Sequence, residues 1–222
     1  MSPAGRRIDP YEAIKEGIRS HAYPPGQKLS EARLAEQFGV GRSPVRTSLR
    51  RLEAEGWIEI SPQSGSFVAA PSESDVLELA ELRRLLEAHA AREAATKLSD
   101  EQLKMLRAKC DALKTIDLEQ DTDALHAFDD VFHSTIHKAA GNRRISRMLR
   151  TLKDQIHWVR TFNTTERPRR TSGSFAEMER VLEALERRNG EAAAALMAEH
   201  IQQIANTFVD ISHSNERQQK DR

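Results

Sequence analysis

Cysteine occurs once in the 222 residues, at Cys110. A lone thiol closes no internal disulfide and supplies no cysteine-based metal framework, which fits a reducing compartment. No apolar run approaches the ~20 residues that span a bilayer, and the stretch Met1 to Gly17 holds no apolar signal core. The expectation is a soluble cytoplasmic protein. Charge of one sign is lacking too: 34 Lys and Arg face 34 Asp and Glu. Any nucleic-acid partner must then be met by a local cluster rather than by the total. The chain also has no glycine-rich phosphate loop, no nucleophile elbow and no His-Glu-x-x-His helix, so the common enzymatic signatures are missing.

What is present is unevenly spread. Of 10 Gly and 8 Pro, 7 and 7 lie at or before Pro71, whereas 7 of 8 His lie beyond Ser72. This predicts two domains. Residues 1–71 form a small mixed domain, residues 72–213 an all-helical one with Ser72 as a helix N-cap, and residues 214–222 a frayed polar tail.

In the first domain, Tyr11–His21 reads as a helix, Tyr23-Pro24-Pro25-Gly26 as a turn, and Ser30 as the N-cap of a helix through Phe38. Val40-Gly41-Arg42 is a tight turn. Ser43 as N-cap, with Pro44 at the first helical position, predicts a further helix ending at Gly56. Trp57–Ile60 and Ser66–Ala69 alternate around Ser61–Gly65 as a small hairpin. Helix, helix, turn, helix, hairpin is the order of a winged helix-turn-helix. On the last helix Arg42, Arg46 and Arg50 are four apart and form one stripe, opposite apolar Val45, Leu49 and Leu52. Guanidinium forks there suit guanine edges or phosphates. The competing reading is a solvated face salt-bridged to Glu53 and Glu55. Gly65, at the wing tip, is either a point of close approach to a minor groove or a turn glycine.

The stretch Leu29 to Arg46, followed by Leu49 to Trp57 and by Gly65-Ser66-Phe67-Val68, resembles the N-terminal domain of GntR-family bacterial transcription regulators. The resemblance implies that Arg42 and Arg46 contact DNA, with Ser43 and Thr47 on phosphates and Arg33 and Arg50 as further contacts. Gly41 stands where the family has Ser or Thr, which removes one phosphate-contacting hydroxyl.

The second domain reads as helices near 74–97, 100–117, 121–140, 143–165, 174–188 and 191–211, with a Ser99/Gln102 capping box and breaks that include Ser172-Gly173. Short connections predict an antiparallel bundle. Asp129 and His133 are one helical turn apart, so both can reach one metal, beside an apolar stripe of Leu125, Phe128, Phe132 and Ile136. A local ion pair explains the same spacing, and His133–His137 is a second such pair. Arg83 interrupts the stripe Val76, Leu79, Leu86, Ala90. A buried guanidinium needs an anion, so Arg83 either pairs with Glu87 one turn on, snorkels to the rim, or clamps an effector carboxylate.

Glu81 to Glu87, Phe128 to Asn142 and Ala184 to His200 resemble the all-helical FCD effector domain of FadR-like GntR regulators. The resemblance implies a divalent metal, Zn or Ni, held by one Asp and three His. Asp129, His133 and His200 fall on three of these positions and Met178 on the fourth. A thioether is a poor ligand for such ions. Three outcomes stay open: weak binding through three residues and water, completion by Glu177 or Glu179, or no metal with Met178 filling apolar space. Arg83 and Met178 are the candidate effector contacts.

The fold expected is mainly α, a winged helix-turn-helix followed by a helical bundle. The function expected is a homodimeric regulator, a repressor, that binds a palindromic double-stranded DNA operator under control of a small organic acid. The rival classes are a metal-dependent hydrolase built on Asp129, His133 and His200, and an architectural DNA-binding protein that senses nothing.

Overall fold

The computed structural model describes residues 8–70, 72–118, 120–163 and 171–220, and the chain divides into two units, Met1–Ser72 and Glu73–Arg222.

In the first unit, helix α1 (Pro10–Arg19) starts with Pro10 at its first position and Asp9 as N-cap, whose carboxylate accepts from the Tyr11 backbone N–H. Strand β1 (Lys28–Leu29) precedes α2 (Glu31–Phe38), which Ser30 caps and left-handed Gly39, at φ 64°, closes. Helix α3 (Arg42–Ala54) begins two residues earlier than the sequence suggests: its N-cap is Gly41, not Ser43, and no side chain caps it. Pro44 is thus the third helical residue, still in the first turn, where a missing N–H costs no helical hydrogen bond. Strands β2 (Ile58–Ser61) and β3 (Gly65–Val68) form the hairpin. The sheet is antiparallel with order β1-β3-β2, pairing Lys28 with Phe67 and Ile60 with Ser66. Two-residue β1 has no alternation to read from sequence; only its pairing with β3 makes it a strand. Ile14, Ile18, Val45, Leu49, Leu52, Trp57 and Val68 bury this unit's core.

The second unit comprises α4 (Glu73–Lys97), α5 (Asp100–Leu113), α6 (Thr122–Ala139), α7 (Arg143–Asn163), α8 (Thr171–Glu186) and α9 (Gly190–Lys220). Helix α4 packs against α6, α7, α8 and α9. Its Ala90, Ala91, Ala94 and Ala95 are fully buried, and such small side chains admit close helix approach. At the start of α9, a Cβ on Gly190 would lie 2.8 Å from the Arg92 carbonyl oxygen, so only glycine allows this contact with α4. Leu106, Phe128, Phe132, Ile136, Val181, Leu185 and Met197 continue the core. Helix α8 runs through Ser172-Gly173, where a break was expected; a glycine in the first turn leaves few helical bonds to weaken. Helix α9 runs on to Lys220, past the expected tail boundary at 214, because extending an existing helix through good helix formers needs no new nucleus. Among the described residues no helix is long and apolar enough to cross a membrane.

Candidate nucleic-acid interface and metal centre

Helix α3 turns Val45, Leu49 and Leu52 into the first unit's core and leaves Arg42, Ser43, Arg46, Thr47 and Arg50 exposed. Arg42 and Arg50 make no ion pair among the described residues, so the expected partners Glu53 and Glu55 do not neutralise the stripe. Arg46 instead forms a two-pronged pair with Glu31 of α2, its Nε 2.9 Å from Oε1 and its Nη2 2.8 Å from Oε2. Arg51, next in the arginine run, points elsewhere. It lies 3.6 Å from the Tyr11 ring centroid and donates to Glu55 at 3.1 Å, while the Tyr11 hydroxyl donates to the same carboxylate at 2.5 Å. The Thr47 hydroxyl donates to the Ser43 carbonyl at 3.1 Å on the exposed face of the helix. Arg33 is exposed on α2. Gly65, at φ 108°, opens β3, and a Cβ there would meet Lys28 Cε at 3.1 Å.

In the second unit, α4, α6, α8 and α9 bring a polar cluster into the bundle. Glu87 is 1% exposed and accepts three donors: Arg83 Nε at 3.1 Å, His133 Nδ1 at 3.1 Å and His137 Nε2 at 2.7 Å. His200, fully buried, gives its Nδ1 to Glu177 at 3.0 Å. The two imidazoles stack with centroids 5.6 Å apart. Both Nε2 atoms are buried without a hydrogen-bond partner. Asp129 Oδ1 approaches His133 Nε2 at 3.5 Å, and Asp129, His133 and His200 offer donor atoms within 4.8 Å of one another. The ligand atoms of Glu87, His133 and His137 also lie within 4.8 Å of one another. Their facing atoms are already bonded to each other, however, so the bare nitrogens single out the first set.

The chain matches the FCD domain family over residues 78–203 and the gntR family of bacterial regulatory proteins over residues 10–68. It is a GntR-family transcriptional regulator with an FCD domain. An HTH-type transcriptional regulator of Agrobacterium vitis is 32% identical to it over 61% of this chain and 81% of that one. The HTH-type transcriptional repressor RspR of Escherichia coli is 27% identical over 96% of this chain and 92% of its own. Among solved structures, E. coli McbR/YncC superposes with a TM-score of 0.66 at 20% identity, covering 90% of this chain and 95% of that one, a likeness of fold. The hydrolase reading is set aside: the families matched are regulators.

In this GntR regulator the cluster's charges are strongly coupled. Burial works against a charged His133, but Glu87 and Asp129 outweigh it and raise the imidazole to about 9. Burial likewise opposes charge on Glu87 and Asp129, yet the facing cations hold both carboxyls well below their usual range. His200 is pushed down by burial, against the pull of Glu177.

Of the expected ligands, Asp129, His133 and His200 are brought together. Met178, the residue after Glu177 on α8, is fully buried within the apolar core. Arg83 is 7% exposed and bound to Glu87 only through Nε, so its terminal nitrogens are uncommitted, and its charge acts on Asp129 and His200. Sequence reasoning foresaw Glu87 as a partner of Arg83 but not as the acceptor for two histidines. It missed Glu31 altogether; an acid at the start of the helix before an arginine stripe was the available signal.

Proposed function

We propose that this GntR/FCD chain is a cytoplasmic, homodimeric repressor that releases a palindromic operator when a small carboxylate metabolite binds its helical domain. The observation that carries the sensing role is the buried cluster itself. The Nε2 atoms of two stacked imidazoles, buried without a hydrogen-bond partner, lie beside the Asp129 carboxylate and near a guanidinium bonded only through Nε. Such groups are costly to bury unless a ligand completes them.

The bare nitrogens of His133 and His200, with Asp129, fit a divalent cation. Imidazole and carboxylate suit Zn²⁺ or Ni²⁺, whereas a thioether does not, so Met178 contributes apolar wall rather than a bond. Three protein ligands leave open positions. A bound ion would supply a Lewis-acidic anchor for one carboxylate oxygen. Arg83 would hold another oxygen through its terminal nitrogens.

The exposed stripe on α3 supports reading by Arg42 and Arg46, with Ser43, Thr47, Arg33, Arg50 and the Gly65 wing tip as further contacts. Leu77, Leu82 and Leu85 on α4 and Met148 on α7 are 42%, 39%, 55% and 47% exposed, which supports pairing of two FCD domains. Two helix-turn-helix units then address half-sites about one helical turn apart or closer. The name of RspR supports repression. Effector binding favours one domain arrangement over another, and α4, which follows the DNA-binding unit directly in sequence, is the element placed to couple them.

Selection of fragmented source-genome DNA on the purified protein at two salt concentrations tests this reading. One palindrome that survives the higher salt is expected, and neighbouring genes then nominate the acid to titrate. Diffuse, salt-labile recovery would overturn operator recognition. Specific DNA that no acid releases would leave an architectural protein.

A further inference from the structure

We propose that Glu31 sets the sequence discrimination of the DNA interface by clamping Arg46 so that only the tip of its guanidinium is offered to a base. The inference rests on α3 as the recognition helix. Arg46 Nε lies 2.9 Å and 3.2 Å from the two Glu31 oxygens and Nη2 lies 2.8 Å from one of them, so the carboxylate runs along one long edge of the guanidinium. A guanidinium has five N–H donors. This edge consumes the Nε hydrogen and one on Nη2. The remaining Nη1 and Nη2 hydrogens at the tip form a parallel pair, the arrangement that meets O6 and N7 of guanine.

The pair has little to do for the fold. Its side chains are 58% and 31% exposed, and exposed ion pairs contribute little stability. Helices α2 and α3 are held instead by buried Leu34, Ala35, Val45 and Leu49. An acid amid Arg42, Arg46 and Arg50 also weakens attraction to phosphates, which carries the sequence-independent part of binding. What Glu31 gives in return is a fork whose rotamer is chosen before DNA arrives. It lowers affinity for any duplex and raises the penalty for the wrong base.

Wild-type protein first selects duplexes from a random-sequence library. Wild type, Glu31→Gln, Arg46→Lys and the double variant are then titrated with the selected duplex, its single-base-pair variants and a scrambled duplex at several salt concentrations. Glu31→Gln is expected to bind the scrambled duplex several-fold more tightly, with a salt slope steeper by about one as Arg46 turns to a phosphate. Its discrimination at one base pair per half-site is expected to fall about tenfold. Arg46→Lys should lose discrimination at that same base pair, and the double variant should lose no more. Equal weakening by Glu31→Gln on all duplexes, with discrimination intact, makes the pair merely structural and overturns the proposal. So does loss at a different base pair in the two single variants. A wild-type chain that enriches no duplex overturns the recognition-helix reading and this inference with it.

Discussion

His133 on α6 and His200 on α9 stack with ring centroids 5.6 Å apart and 23° between planes, and each turns its Nδ1 to a glutamate. Glu87 and Glu177 thereby hold both rings by Nδ1, the arrangement in which outer carboxylates orient metal-binding imidazoles, and a cation at Nε2 would displace the second proton of charged His133.

If that pair binds metal, the purified chain takes up one Zn²⁺ or Ni²⁺ per protomer by calorimetry, and His200→Ala abolishes uptake. Met178→His supplies the missing imidazole and should tighten binding tenfold or more, about 1.4 kcal/mol. Unchanged affinity in Met178→His would count against the site.

Glu177→Gln should cost about 10–100-fold in metal affinity while leaving the melting temperature of the metal-free protein nearly unchanged. Glu177 is only partly buried, so its loss acts on His200 more than on the core. Equal affinities in a chelator competition would show that Glu177 does not orient His200.

Arg83→Lys keeps the charge near Glu87 but removes the forked terminal nitrogens. DNA binding without effector should persist, and release by the cognate acid should shift to at least tenfold higher acid, about 1.4 kcal/mol. Normal release by this variant in a gel-shift titration would remove Arg83 from the effector site.

Removing Arg42 should cost about 1–3 kcal/mol of discrimination at one base pair. Arg50→Ala, by contrast, should weaken all duplexes alike and lower the salt slope by about one. Fluorescence anisotropy on matched and mismatched duplexes separates the two patterns.

Burial and the bond to Glu55 push the Tyr11 phenol above its usual range. A group whose folded value is raised contributes stability that is complete below its unfolded value, about 10, and is lost as pH climbs beyond it. Urea unfolding of the first unit, followed by Trp57 fluorescence in a Trp158→Phe background, should show a stability decline above that pH. Tyr11→Phe should flatten the decline. An unchanged slope would place the alkaline loss elsewhere.

The local elements were readable from particular residues. Ser30 and Gly39 bracket α2, Ser99 with Gln102 opens α5 in a complete capping box, and the four-residue arginine spacing put one face of α3 outward. Ser43-Pro44 mimics a cap and makes α3 read two residues short, whereas Gly41 takes the cap conformation without any side chain. Strand β1 was invisible because its identity lies in its partner.

The sequence by itself determined the two-part organisation, the helical periodicities and the one-turn spacing of Asp129 and His133, since all of these are set by neighbours within a few residues. Only the tertiary structure decided the partners. Glu87 reaches His133 from 46 positions away, Glu177 reaches His200 from 23, and Glu31 takes Arg46 from 15. Such pairings depend on how helices pack, and helix packing is driven by apolar burial that is blind to which polar atoms it brings together. That is why Asp129 and His133 could be named from their spacing and His200 from the family resemblance, whereas the acids that aim the imidazoles could not.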